Sequence, residues 1–96
     1  MVATGTDMMI TVNKQDVANW LLMDYQATLY NVKEKLRFFE LKYNQTWNVF
    51  EQEIKKSRQE DFSKWDDYIE WKAYLKTAED IAFKIQEVKN GHFAIT

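Results

Sequence analysis

The sequence contains no cysteine, no proline and only two glycines, Gly5 and Gly91. Proline and glycine are the residues that most strongly interrupt helices, so the long stretch between these two glycines predicts long helices. The lack of cysteine excludes disulfides and thiolate chemistry. It is also typical of proteins of the reducing cytosol, so we expect a cytoplasmic location.

Residues that commonly carry catalysis or hold cofactors are also scarce. His92 is the single histidine, and it follows the last helical pattern, whereas a histidine base needs a positioned partner and a pocket. The sequence has no glycine-rich phosphate loop and no Glu-x-x-His pair for a metal site in a bundle. Asp66 and Glu70 could share a cation, but acidic residues near a helix start also favour its positive end. We therefore predict that the protein is not an enzyme and that it binds neither a cofactor nor a metal ion.

The charge is nearly balanced, with 13 basic and 15 acidic residues and a net charge of −2. Nucleic-acid-binding proteins usually carry a net basic patch, so this balance disfavours a nucleic-acid partner. The longest apolar run near the start, Met8-Met9-Ile10, is too short for a signal-peptide core or a membrane span. We therefore expect a soluble protein with no membrane partner.

A chain of 96 residues is long enough for one domain. We predict a single helical domain over residues 14–91, followed by a tail over residues 92–96. Residues 1–13 are predicted to form an N-terminal tail or a short strand. In the strand alternative, Ile10 and Val12 point to the same side.

The first predicted helix runs from about Asp16 to Tyr43, with Asn13 or Asp16 as its cap. Its apolar residues alternate steps of four and three along a heptad seam. This seam consists of Ala18, Leu22, Tyr25, Leu29, Val32, Leu36, Phe39 and Tyr43. A second apolar stripe lies on the opposite side and consists of Trp20, Met23, Ala27, Tyr30, Phe38 and Leu41. A surface helix normally carries one such stripe, so two stripes predict burial or binding on both sides.

A break at residues 44–46 precedes a short second helix, capped by Thr46, and the polar run 55–61 connects this helix to the third. Ser63 followed by Asp66 resembles a capping box that starts the third helix, and Asn90-Gly91 is expected to end it. The third helix has its own seam, formed by Trp71, Tyr74, Ala78, Ile81, Ile85 and Val88. The predicted fold is therefore all-α, a long antiparallel helical hairpin with a short middle helix, assembling into a helical bundle.

Aromatic residues recur at every third position at the start of the third helix, namely Trp65, Tyr68, Trp71 and Tyr74. A helix advances by about 100° per residue, so these four rings fan over about 180° of its surface. A single buried stripe is too narrow to cover all four rings. The alternative that all four rings simply belong to the core stays open. We predict a partner or oligomer interface from part of this fan and from apolar residues that lie off the seams. Its members are Trp20, Phe38, Trp65, Tyr68, Ile69, Trp71 and Phe83.

Two segments carry a resemblance to known proteins. They are Phe39-Glu-Leu-Lys-Tyr43-Asn-Gln-Thr-Trp47-Asn-Val-Phe50 and Phe62-Ser-Lys-Trp65-Asp-Asp-Tyr68-Ile-Glu-Trp71-Lys-Ala-Tyr74. Together they resemble a family of small, mostly uncharacterised helical proteins of archaea and cyanobacteria, over roughly residues 34–88. The most specific part is the string Trp65-Asp-Asp-Tyr-Ile-Glu-Trp-Lys-Ala73. Asn44 stands where that family commonly has glycine, a replacement that a turn tolerates. The resemblance implies an antitoxin-like component of a two-gene toxin–antitoxin system.

Two functions follow as hypotheses. The first is a non-enzymatic protein–protein interaction module, an antitoxin-like inhibitor that covers a toxin with the aromatic faces of its helices. The second is a self-associating structural bundle, a homodimer or tetramer with no separate partner, in which the surplus apolar residues only close the assembly. Binding to the product of a neighbouring toxin-like gene would distinguish them.

Overall fold

The computed structural model describes residues 13–56 and 61–93, and these residues form three α-helices. Helix α1 spans Lys14–Tyr43, α2 spans Trp47–Lys56 and α3 spans Phe62–Lys89. The all-α prediction and the order of a long, a short and a long helix are confirmed. The short strand considered for Ile10 and Val12 lies outside the described residues.

Asparagine residues define both ends of α1. At its start, the Asn13 side chain accepts a hydrogen bond from the backbone N–H of Asp16 at 2.8 Å, so Asn13 is the cap. At its end, Asn44 adopts a left-handed conformation with φ of 52°. Asparagine tolerates this region better than other residues with a Cβ atom, so the chain can turn there without glycine. The break predicted at residues 44–46 is confirmed.

Helix α3 begins earlier than its sequence suggested. The Asp61 side chain accepts a hydrogen bond from the backbone N–H of Lys64 at 3.1 Å, which makes Asp61 the cap. The predicted capping box of Ser63 and Asp66 is therefore wrong, since Ser63 already lies in the first turn. A carboxylate at this position gains from the positive end of the helix as well as from the hydrogen bond, an advantage that a serine hydroxyl lacks.

The predicted end of α3 is confirmed. Gly91 has a φ of 78° and donates its N–H to the carbonyl of Val88 at 2.9 Å. His92 donates its N–H to the carbonyl of Glu87 at 2.8 Å, which completes a Schellman motif. The positive φ explains why glycine stands at this position.

The two long helices pack side by side in antiparallel directions. Phe39 of α1 stacks on Trp71 of α3, with 5.6 Å between ring centroids and 13° between planes. At the far end, the Lys14 ammonium lies 5.1 Å from the ring centroid of Phe93, just beyond α3. All eight residues of the predicted α1 seam are buried or half-buried, so the seam is the surface that α1 turns towards α3.

The core is concentrated where α2 joins the hairpin, which we call the closed end. Its buried members are Phe39, Phe50, Ile54, Tyr68 and Trp71. Phe50 and Ile54 of α2 are 0% and 2% exposed, and the Trp47 ring stacks on Tyr68 at 5.2 Å. At the opposite, open end, the hairpin buries smaller residues such as Ala18, Ile81 and Val88. We therefore expect most of the packing energy to come from the closed end.

Replacing Trp71 by alanine tests that expectation. Its ring contacts rings from both other helices, so Trp71→Ala should lower the free energy of unfolding by about 3–5 kcal/mol. The matched control is Phe83→Ala on the same helix, where the side chain is 65% exposed and the change should stay within about 0.5 kcal/mol. Urea unfolding followed by circular dichroism measures both, and equal losses would contradict a core at the closed end.

The Asp61 cap of α3 should contribute measurably to stability. Asp61→Ala should destabilise the protein by about 1 kcal/mol, because the backbone N–H of Lys64 loses its partner. Ser63→Ala should be close to neutral, because Ser63 is inside the helix and alanine is a better helix former. The same urea titration measures the stability of both variants. A larger loss of stability for Ser63→Ala than for Asp61→Ala would support the capping box of Ser63 and Asp66 instead.

Candidate protein-binding surfaces

Helix α1 exposes a row of large apolar side chains on the side that faces away from α3. We call this row the α1 outer face, and its members are Trp20, Met23, Tyr30, Phe38 and Leu41. Each is 56–71% exposed. At about 100° per residue, the centre of this row lies about 170° from the centre of the buried seam. The second stripe predicted from the sequence is therefore present and uncovered within the hairpin.

Helix α3 carries a shorter outer face, formed by Phe62, Trp65, Ile69 and Phe83. Three of its members cluster within the first eight residues of α3, and Phe83 stands apart near the open end. Trp65 is the least exposed at 39%, because its ring packs on Tyr68 with 5.1 Å between centroids. This contact holds the indole in place while leaving part of it accessible.

The two outer faces point in opposite directions, because the seams of α1 and α3 face each other. In a square four-helix bundle, the directions from one helix to its two neighbours form a right angle, so the two apolar surfaces of that helix are adjacent. An outer face that lies about 170° from the seam does not suit that arrangement. A two-fold contact through one outer face would leave the other outer face free.

The structure divides the predicted interface residues into two groups. Five of them are exposed on the outer faces, namely Trp20, Phe38, Trp65, Ile69 and Phe83. Tyr68 and Trp71 are only 5% and 1% exposed, so a partner that leaves the hairpin intact cannot reach them. Their selection as interface residues is corrected: they belong to the core. They are buried because α2 also packs against α3 and covers those of the four aromatic rings that α1 does not cover.

Some exposed residues were missed in that interface set. Met23, Tyr30 and Leu41 belong to the α1 outer face, and their helical spacing of three, seven or eight residues from its neighbouring members was the available signal. Phe62, which is 77% exposed, was missed because the predicted helix started after it. Val49 on α2 is 46% exposed and had no periodic signal, since α2 is too short to show one.

A charged cluster ties α1 to α3 at the closed end. The Asp67 carboxylate accepts hydrogen bonds from the Lys42 ammonium at 2.6 Å and from the Tyr43 hydroxyl. Burial, the largest influence, raises the pKa of Asp67, but the two hydrogen bonds and the positive charge of Lys42 together bring that pKa below its usual value. Burial and the neighbouring carboxylate raise the pKa of Tyr43. Both groups therefore keep their ordinary charge near neutral pH, and their arrangement is that of a structural clamp.

A second contact of this kind joins α2 to α3. The Tyr68 hydroxyl donates to the Glu51 carboxylate at 3.1 Å, and burial together with this carboxylate raises the pKa of Tyr68. The buried phenol thereby satisfies its hydroxyl while its ring fills the core. Lys64 and Glu53 add a long ion pair of 3.9 Å between the same helices, which is too exposed to contribute much.

A groove beside Phe38 and the ring of His92 carry further polar groups. The groove has a volume of about 260 Å³ and is bordered by Glu34, Lys35 and Glu70 as well as by Phe38 and Phe39. The ring Nδ1 of His92 lies 3.2 Å from a carboxylate oxygen of Glu87, at an exposed position. Within residues 13–56 and 61–93, no three histidine, cysteine or acidic residues are grouped so as to hold a metal ion.

No helix in the described part of the chain is both long enough and apolar enough to cross a membrane. Comparisons with protein-family models, with curated proteins and with solved structures found no match to this chain.

The Asp67 clamp predicts how stability depends on pH. A carboxyl whose pKa is lowered in the folded state stabilises that state fully above its unfolded pKa of about 3.9, and this stabilisation is lost as the pH falls through the folded pKa. Asp67→Asn should therefore lower stability at pH 7 and flatten the loss of stability below about pH 4. Asp66→Asn is the matched control, because Asp66 lacks these two contacts. Urea midpoints from pH 2 to 7 provide the measurement, and identical pH profiles for wild type and Asp67→Asn would contradict the clamp.

Proposed function

We propose that this chain is a non-enzymatic protein–protein interaction module that binds through the outer faces of its long helices. The observation that carries the proposal is the exposure of nine large apolar side chains on those two faces while the seams already fill the core. Extended apolar patches on the surface of a folded monomer are uncommon and mark sites of protein interaction. Tryptophan and tyrosine, which occur on the α1 outer face, are also frequent at the centres of such interfaces.

The cluster at the start of α3 is the surface that we assign to a partner protein. Trp65 is held by its contact with Tyr68, so it loses little conformational freedom on binding. Phe62 and Ile69 flank it on the same face, with the acidic Asp66 on one side and the exposed Lys72 two turns further along. A suitable partner therefore offers an apolar pocket for the indole, with polar groups of both charges at its rim.

The resemblance of the Trp65–Ala73 string to antitoxin-like proteins supplies a more specific proposal. In this version the chain is an inhibitor, and the partner is a toxin-like protein encoded by the adjacent gene. An inhibitor of this kind acts by covering a surface, so it needs an exposed, rigid binding face and no catalytic groups. The outer face of α3 meets that requirement.

The alternative function is a self-associating structural assembly with no separate partner. The observation that favours it is the length of the α1 outer face, which extends over most of the helix. The two functions differ in what the α3 outer face does. In the structural assembly that face contributes only to contacts between copies, whereas in the inhibitor it contacts a different protein.

The partner proposal is tested with the purified product of the adjacent gene. Trp65→Ala should weaken binding by about 30-fold, because loss of a central interface tryptophan commonly costs about 2 kcal/mol or more. Phe83→Ala is the matched control, since Phe83 lies on the same face about 27 Å away along the helix. Titration calorimetry measures both affinities. Absence of binding by the wild-type chain would refute the proposal that it is an inhibitor of this protein. Unchanged binding by Trp65→Ala would show that the start of α3 is not the binding surface.

A further inference from the structure

The α1 outer face has nearly the same spacing when read from either end. Its five members are separated by 3, 7, 8 and 3 residues, and the reverse order is 3, 8, 7 and 3. The midpoint lies between Tyr30 and Asn31. A row of this kind can be matched by a second copy of itself that runs in the opposite direction, as a two-fold symmetric dimer requires.

We propose that the α1 outer face is a homodimer interface, in which two copies of α1 pack in antiparallel directions about a two-fold axis beside Tyr30. In this register Trp20 lies beside Leu41 of the partner subunit, and Met23 lies beside Phe38 of the partner subunit. The two Tyr30 rings meet at the axis. The inference rests on the proposed function only in treating the outer faces as binding surfaces, and it requires nothing of α3.

The charges beside the row agree with this register. Asp24 and Lys35 project on the same flank of α1, at about 80° and 100° from the centre of the outer face. In an antiparallel pair, residues of the same flank face each other, and Asp24 comes within about 3 Å along the helix axis of Lys35 of the partner subunit. The ion pairs described for the hairpin include neither side chain, so both are available. Two such pairs form by symmetry.

The size of the face is sufficient for a dimer. From Trp20 to Leu41 the row is about 31 Å long. The two copies together contribute ten large side chains, each more than half exposed in the hairpin. They supply on the order of 1,000 Å² of buried area, because a large aromatic side chain buries about 150–250 Å². That area is at the threshold for a specific interface, so the dimer should dissociate on dilution. Glu34 lies within the row opposite the small Ala27 of the partner subunit, and its desolvation weakens the contact further.

The α3 outer face does not have this symmetry. Its members are separated by 3, 4 and 14 residues. A two-fold axis that places Phe62 beside Phe83 of the partner subunit would set Trp65 against Asp80 and Ile69 against Lys76. An apolar residue would then face a charge at both inner positions. This difference assigns α1 to self-association and leaves α3 free for another protein.

A charge-pair experiment tests the face and the register together. Sedimentation velocity of the full chain over a range of concentrations should show a monomer–dimer equilibrium. Met23→Glu and Phe38→Lys should each raise the dissociation constant at least about tenfold, because each places an unpaired charge opposite an apolar side chain. The double variant should return to within about threefold of wild type, because the carboxylate introduced at position 23 then faces the ammonium introduced at position 38 of the other subunit. Phe83→Lys is the control on the opposite face and should leave the dimer unchanged.

The outcomes separate the possibilities. A monomer at every concentration, or a dimer that only Phe83→Lys disrupts, overturns the α1 interface. Failure of the double variant to recover, when both single variants are weakened and remain helical by circular dichroism, overturns the antiparallel register. Trp65→Ala should dimerise normally, so failure of partner binding and failure of dimerisation are observed independently.

A cross-linking measurement decides the register even where a charged variant folds poorly. The chain has no cysteine, so a single introduced thiol reports one contact. Tyr30→Cys should form an intermolecular disulfide on mild oxidation, because the two positions meet at the axis. Met23→Cys should not, since its two copies lie about 22 Å apart along the helix axes. Cross-linking of Met23→Cys alone, or of both variants equally, contradicts the proposed pairing.

Discussion

The stacking of Trp71 is the contact on which the rest of the structure depends. Its ring lies against Phe39 of α1 and against Phe50 and Trp47 of α2, so one side chain joins all three helices. Two helices alone bury little surface, and a hairpin of two helices would be marginal without the third. By folding back onto α3, α2 turns the closed end into a small three-helix core, and this core holds α1 and α3 in their antiparallel alignment.

The register set at the closed end determines which residues face outward. Once Phe39 is opposite Trp71, the helical repeat directs every seam residue of α1 towards α3 and directs Trp20, Tyr30 and Phe38 away from it. The Asp67 clamp fixes the same register through polar contacts, because Lys42 and Tyr43 must reach one carboxylate. The outer faces therefore result from the same packing that forms the core. A different register of α1 against α3 would remove the core and the outer faces together.

A feature of this structure could be predicted from the sequence when it depends on residues that are close together in the chain. The α1 seam was predicted residue by residue, because a 30-residue helix shows its period over almost four heptads. The end of α3 at Gly91 was also predictable, since a left-handed cap favours glycine. The burial of Tyr68 was not, because it depends on where α2 packs after an intervening connection. The start of α3 was missed for a related reason: Asp61 and Ser63 are both good caps, and the choice between them is made by the geometry of the chain entering the helix.

The opposite orientation of the outer faces limits what the protein can assemble into. If both faces bound further copies of the chain through unlike contacts, each added copy would present a new free face and the assembly would grow without closing. A two-fold contact through α1 uses identical surfaces on both subunits, so it closes after one step. In the proposed dimer the two α3 outer faces lie on the far sides, each with Trp65 at the closed end of its hairpin. A dimer of this kind would hold two partner molecules at once, and a partner that is itself dimeric would bind with the added strength of two linked contacts.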